Sequence, residues 1–197
     1  MENIKEIFDN DLIEFNNIVQ EYLPGTTKDE LYEIYHKKNS VFVGYYLEEK
    51  LIGVCFGDIR DNMYFSLIGI AIIHPYNKQG RGSKLIQYFE KIVKTKKYNK
   101  ISVGSADGYV EHFYIKNNYK LSSLKILTNN EEWEKRHNDL FPVSNVEKQG
   151  EYTKLVIENI IYEKPDKQEI CKYYGGCDCF YVFEKNIFPI CDCQNLI

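Results

Sequence analysis

Between Tyr64 and Lys97 the chain changes its period in one step. YFSLIGIAII is almost unbroken apolar sequence, His74-Pro75 interrupts it, and Leu85, Ile86, Phe89, Ile92 and Val93 then recur at helical spacing. A continuous apolar run predicts a strand buried on both faces. Proline cannot donate to a ladder, so the strand ends at Pro75. The connecting segment, YNKQGRGSKL, holds two glycines one residue apart among Lys78, Arg81 and Lys84. Glycine inside a helix costs about 1 kcal/mol relative to alanine. At a helix start it instead lets backbone approach something closely. Strand, glycine turn and long helix, in that order, point to an α/β fold with unpaired N–H groups at the positive end of the helix.

The flanking segments extend this pattern. NIKEI predicts a short first strand. DLIEFNNIVQEYL sets Leu12, Phe15, Val19, Tyr22 and Leu23 on one helical face, with Asp11 and Glu14 spaced as a capping box. Thr27 and Glu30 have the same spacing at the head of a second, shorter helix. SVFVGYYL and LIGVCFGDIR, joined by EEK, predict a hairpin. Downstream, KISVGSA predicts a strand, YVEHFYIKNNY a short helix and KLSSLKILT another strand. Residues 129–151 are polar and broken by Pro142 and Gly150, and are expected to be an insertion. YTKLVIENIIYEKP and CFYVFEK predict two closing strands. The order implies a mixed, largely antiparallel α/β sheet flanked by helices, with a parallel step over 64–105.

Composition narrows the function classes. With 197 residues the chain suits one domain, expected to span 1–197. A net charge of −4 argues against a general nucleic-acid binder. No apolar run reaches the roughly 18 residues of a membrane span. MENIKEIFDNDL lacks the apolar core of a secretory signal, so a cytoplasmic location is expected.

Two phosphate-binding motifs are excluded in the glycine segment. The P-loop requires G-x-x-x-x-G-K-[ST], and no such pair follows either glycine. The dinucleotide fingerprint requires a third glycine where Leu85 stands. What remains, NKQGRG from Asn77 to Gly82, resembles the signature of the GNAT superfamily of acyl-CoA-dependent N-acyltransferases, [QR]-x-x-G-x-[GA]. Asn77 departs from the usual Gln or Arg, and Gly80 and Gly82 match. GSADGYVEHFYIKNNYK resembles that family's second segment through Phe113, Tyr114, Lys116, Asn117 and Tyr119. The resemblance covers roughly residues 1–127.

The resemblance implies acetyl-CoA as cosubstrate and transfer of its acetyl group to a primary amine. Ile70 and Ile72 would give main-chain hydrogen bonds to the pantetheine arm. Asn77, Lys78, Gly80, Arg81, Gly82 and Ser83 would surround the pyrophosphate, largely through N–H groups. A bulge in the apolar strand would open the slot, and the small residues Gly69 and Ala71 are compatible with one. Tyr114 would be the general acid, since a phenol with pKa near 10 is protonated at neutral pH; packing alone also accounts for a tyrosine there. The base is unassigned: residues 64–73 contain no carboxylate, Asp58 and Asp61 lie just before them, and His112 points away from Tyr114 on a helix. The acceptor is a small-molecule or peptide amine, and a homodimer is compatible with the fold. The alternatives are a protein or peptide acetyltransferase, and a non-catalytic acyl-CoA-binding regulator.

The tail, residues 164–197, carries Cys171, Cys177, Cys179, Cys191 and Cys193. Residues i and i+2 of a strand share a face, so each Cys-Asp-Cys could offer two sulfurs to one metal. The spacing is not the usual C-x2-C, and free thiols in a reducing compartment are expected over a zinc site or a disulfide.

Overall fold

The computed structural model describes residues 1–59, 64–105, 108–136, 141–160 and 166–187. The chain divides into two compact units, Met1–Ser102 with Asn186–Ile197, and Val103–Lys185.

The first unit begins with β1 (Glu2–Glu6), α1 (Leu12–Tyr22) and α2 (Lys28–Tyr35). It continues with β2 (Val41–Leu47), β3 (Lys50–Ile59), β4 (Tyr64–Ile72), α3 (Arg81–Thr95) and the start of β5 (Lys100–Ser105). Strands β1 to β4 are neighbours in sequence order and antiparallel, and β5 joins β4 in parallel. Helix α1 packs on β3 and β4, and α3 on β2, β3 and β4. Four of the five residues of the expected α3 stripe, Leu85, Ile86, Phe89 and Val93, are fully buried, whereas Ile92 is half-buried at its margin. Phe15 of α1 is also fully buried, its ring 5.3 Å from Phe42 and 5.9 Å from Phe56. Burial of each such side chain contributes roughly 1.5–3 kcal/mol.

Local signals set the element ends. Thr27 and Glu30 form the expected reciprocal capping box on α2. The β2–β3 hairpin turns on Glu48 and Glu49 alone, both left-handed at φ 50° and 71°, the two positive values that a two-residue type I′ turn requires. Asp11 differs from expectation. A 3₁₀ turn over Asp9–Asp11 precedes α1, leaving Asp11 in helical rather than extended backbone, and it caps nothing. Its carboxylate instead pairs with Lys5 of β1 at 3.1 Å.

The second unit holds α4 (Gly108–Lys116), β6 (Lys120–Thr128), β7 (Val143–Gln149), β8 (Tyr152–Glu158), α5 (Lys167–Tyr173) and β9 (Asp178–Asn186). Its strands run in the order β9-β6-β8-β7, with antiparallel pairing throughout. Strand β7 lies inside the stretch read from sequence as a polar insertion. It is an edge strand whose residues from Ser144 onward are all exposed, so no apolar alternation marks it. Helix α5 is likewise absent from the sequence expectation; it spans 7 residues, too few for a helical period to declare itself. Asp166 caps it by accepting from the Gln168 N–H at 2.9 Å. Inside this unit Lys167 and Glu111 make an ion pair at 2.6 Å, with side chains only 11% and 3% exposed.

Candidate active site

Strand β4 carries an irregularity that its sequence does not display. Phe56 of β3 faces Gly69 and Gly57 faces Leu67, so Ile68 is one residue too many and forms a bulge. Ile68 is 39% exposed, and Ile70 and Ile72 beyond it are half-buried. The expected burial on both faces therefore fails in the second half of the strand. On its other side the parallel ladder with β5 ends at Ser66–Ser102, and among the described residues no strand pairs with Leu67–Ile72 there. The strand thus presents main-chain groups along the stretch that contains Ile70 and Ile72.

The loop that follows leads into α3 through two left-handed residues, Lys78 at φ 58° and Gly80 at φ 77°. For lysine this conformation costs about 1–2 kcal/mol, whereas glycine adopts it freely. A β-carbon built on Gly80 would meet no atom within 4 Å. The glycine is therefore required by its backbone angle and not by crowding. Gly80 is the N-cap residue, no side chain caps the helix, and its first turn has no acidic residue. The N–H groups of Arg81, Gly82 and Ser83 have no intrahelical acceptor. A left-handed residue followed by a right-handed turn directs successive N–H groups into one concavity, an arrangement suited to an anion. Asn77 and Lys78 lie in this loop, Gly80 caps the helix, and Arg81, Gly82 and Ser83 form its first turn.

The charge beside the loop is arranged differently from expectation. Arg81 Nε donates to Glu2 Oε1 at 3.1 Å, and Lys84 Nζ donates to Glu2 Oε2 at 2.8 Å. The buried Tyr45 hydroxyl also donates to Glu2 Oε2, at 2.7 Å. Arg81 Nη1 donates to the Tyr76 carbonyl at 3.2 Å and to Gln79 Oε1. The guanidinium thus braces the loop while sharing its charge with a carboxylate from β1. Lys84 first, then Tyr45 and Arg81, hold the Glu2 carboxyl down at about 2. Lys84 is raised in turn, chiefly by Glu2. Glu2 is 79 positions before Arg81, and no local signal marks it.

Tyr114 belongs to the second unit. It is 4% exposed on α4, with its ring centroid 5.4 Å from Phe113, 5.7 Å from Tyr119 and 6.1 Å from Phe183. The surrounding motif serves the end of α4. Its carbonyl accepts from the N–H groups of Asn117 and Tyr119, both at 3.0 Å, while Asn118 turns left-handed at φ 66°. The Asn117 amide donates to the Phe113 carbonyl at 2.8 Å, and Lys185 donates to the Asn117 carbonyl at 3.0 Å. His112 is exposed.

Of the carboxylates before β4, Asp58 is buried and pairs with Lys37 at 2.8 Å. Asp61 lies outside the described residues, as do Cys191 and Cys193. Cys177 precedes β9 and is exposed, whereas Cys179 within it is buried. Burial pushes the Cys179 thiol up to about 12 and raises Cys171 and Cys55 as well. Among the described residues no cluster of His, Cys, Asp or Glu could hold a metal ion, and no helix is long and apolar enough to cross a membrane.

The sequence matches the acetyltransferase (GNAT) family over residues 4–119. The chain belongs to that family. The match runs from Ile4, inside β1, through α4 and ends at Tyr119, the residue that closes the α4 terminus. No curated protein matches the chain by sequence. Several solved structures share the GNAT fold. One is an aminoglycoside 6'-N-acetyltransferase complexed with coenzyme A, at 14% identity and TM-score 0.61, covering 95% of this chain and 98% of that one. A GNAT family acetyltransferase from Elizabethkingia anophelis with acetyl-CoA bound gives 11% and 0.55, covering 94% and 97%. The ribosomal-protein-S18-alanine N-acetyltransferase from Escherichia coli gives 12% and 0.56, covering 82% and 100%.

Proposed function

We propose that this GNAT chain moves the acetyl group of acetyl-CoA to a primary amine of its acceptor. The observation that carries the reading is the bulge at Ile68 and the end of the β4–β5 ladder, followed directly by an uncapped helix start behind a left-handed glycine. The donor set fits the cosubstrate. Main-chain groups of Ile70 and Ile72 would hold the pantetheine arm. N–H groups of Lys78, Gly80, Arg81, Gly82 and Ser83, with Asn77 at the loop's start, would hold the pyrophosphate, and the first turn of α3 carries no carboxylate to repel it.

Acetyl-CoA supplies a thioester: the amine nitrogen forms the new C–N bond, the C–S bond breaks and the thiolate leaves. Tyr114 is assigned the proton donation to that sulfur, and the proton shed by the attacking amine passes to solvent water. A phenol is protonated at neutral pH and so is ready to act as an acid. The test is acetyl-CoA turnover against a panel of aminoglycosides, small amines, amino acids and peptides with free N-termini. Release of free thiol with mass gain on one acceptor class would establish the activity. Tight acetyl-CoA binding without acetylation of any acceptor would favour the acyl-CoA-binding regulator.

A further inference from the structure

We infer that Glu2 is a positioning residue for the cofactor loop, acting through Arg81. The inference rests on the proposed function above and adds a part of the machinery that lies outside the family's glycine signature.

Arg81 is the node of a closed set of hydrogen bonds. Its Nε is held by Glu2 of β1, and its Nη1 by the Tyr76 carbonyl and the Gln79 side chain. Gln79 in turn donates through Nε2 to the Pro75 carbonyl at 3.3 Å. The guanidinium carbon lies 5.9 Å from the centre of the Tyr76 ring, and the arginine side chain is only 14% exposed. The loop from Pro75 to Arg81 is therefore tied to itself and, through one carboxylate, to the first strand. This is the loop that keeps Lys78 in left-handed backbone, a conformation that must be enforced by surrounding contacts. Glu2 is fixed from its other side by Lys84 and by the hydroxyl of Tyr45, whose ring is fully buried. The brace is thus anchored in the core of the unit. A loop ordered before binding loses less freedom when the ligand arrives, so the brace acts on affinity.

Charge acts the other way. Glu2 partly cancels Arg81 and Lys84, so its neutralisation would draw a polyanion in more strongly. The two effects separate with salt: at about 0.5 M sodium chloride charge attraction is largely screened, whereas loop order is retained.

The experiment compares wild type with Glu2→Gln, a change at an exposed residue that keeps the side chain's shape. Without ligand, backbone amide exchange in the peptide spanning Tyr76–Lys84 should quicken about three- to tenfold in the variant, with little change elsewhere. In about 0.5 M salt the Kd for coenzyme A should rise by a similar factor. In an Arg81→Met background, adding Glu2→Gln should change both quantities much less than it does in wild type, because the brace is already cut and only the Glu2–Lys84 ion pair remains to be lost. Unchanged loop exchange in Glu2→Gln would overturn the inference, as would equal or tighter coenzyme A binding at high salt. If wild type binds no coenzyme A while the exchange difference persists, the brace stands and the acetyl-CoA reading falls.

Discussion

Replacement of Gly80 by alanine separates the two roles assigned to this residue, backbone conformation and clearance for an anion. The residue sits at φ 77° and ψ −4°, left-handed, at the N-cap of α3. For an L-residue that conformation costs about 1–2 kcal/mol, offset by roughly 0.4–1 kcal/mol because alanine restricts the unfolded chain. No clash adds to this, since a β-carbon there meets no atom within 4 Å. The net loss is about 1 kcal/mol, a fall in Tm of about 2–4 °C for a chain of this size. Asparagine tolerates the left-handed region, so Gly80→Asn should lose less than half as much. Both variants put a side chain over the concavity formed by the first-turn N–H groups, so both should weaken coenzyme A binding by about tenfold, or about 1.4 kcal/mol. Differential scanning calorimetry and titration calorimetry on the same preparations measure the two quantities. Equal stability of the alanine and asparagine variants would refute the argument from φ. Unchanged affinity in both would refute the anion site.

Other perturbations test the remaining assignments. Tyr114→Phe keeps the ring among Phe113, Tyr119 and Phe183; folding should change little, and the single-turnover rate should drop by about 10²- to 10⁴-fold. A rate within about twofold of wild type would remove Tyr114 from the mechanism. Lys167→Met leaves the buried Glu111 carboxylate without its ion-pair partner and should cost about 3–5 kcal/mol in urea unfolding, most of it regained in the double variant with Glu111→Leu; a loss under about 1 kcal/mol would show that the pair is solvated. The Glu2 carboxyl has its folded pKa depressed to about 2 from 4.5. Its contribution to stability is therefore complete above pH 4.5 and is lost as the pH falls through about 2. The Tm difference between wild type and Glu2→Gln should consequently stay constant from about pH 5 to 9, and a difference that drifts within that window would assign the titration to another group.

Much of the fold that carries the candidate site was legible because its determinants are local. The stripe Leu85, Ile86, Phe89 and Val93 specifies which face of α3 is buried. Thr27 and Glu30 are three residues apart and cap α2 as that spacing allows. The glycine turn can be located from residue types alone, because only glycine holds a left-handed N-cap without strain. The order of apolar strand, glycine turn and helix likewise restricts the architecture before any tertiary contact is known.

The rest depended on which backbone came to lie beside which. The bulge at Ile68 arises from the register between β3 and β4, and register is a property of two strands that neither sequence carries alone. The exposure of Ile68 and the half-burial of Ile70 and Ile72, where a buried run was expected, depend on what packs over each face of the sheet, which the strand's own residues do not state. Strand β7, VSNVEKQ, has no apolar alternation of its own and pairs along the edge that β8 offers it. Asp11 is drawn from the capping role its spacing suggests to Lys5, which pairing in the sheet brings near it. Arg81 reads from sequence as free positive charge beside a phosphate. In the folded chain its guanidinium belongs to Glu2, 79 positions away, and to the loop it braces. A periodicity or a turn is decided by bonds within a few residues, whereas the partner of a charge is decided by the path of the whole chain, and so it appears only in the tertiary structure.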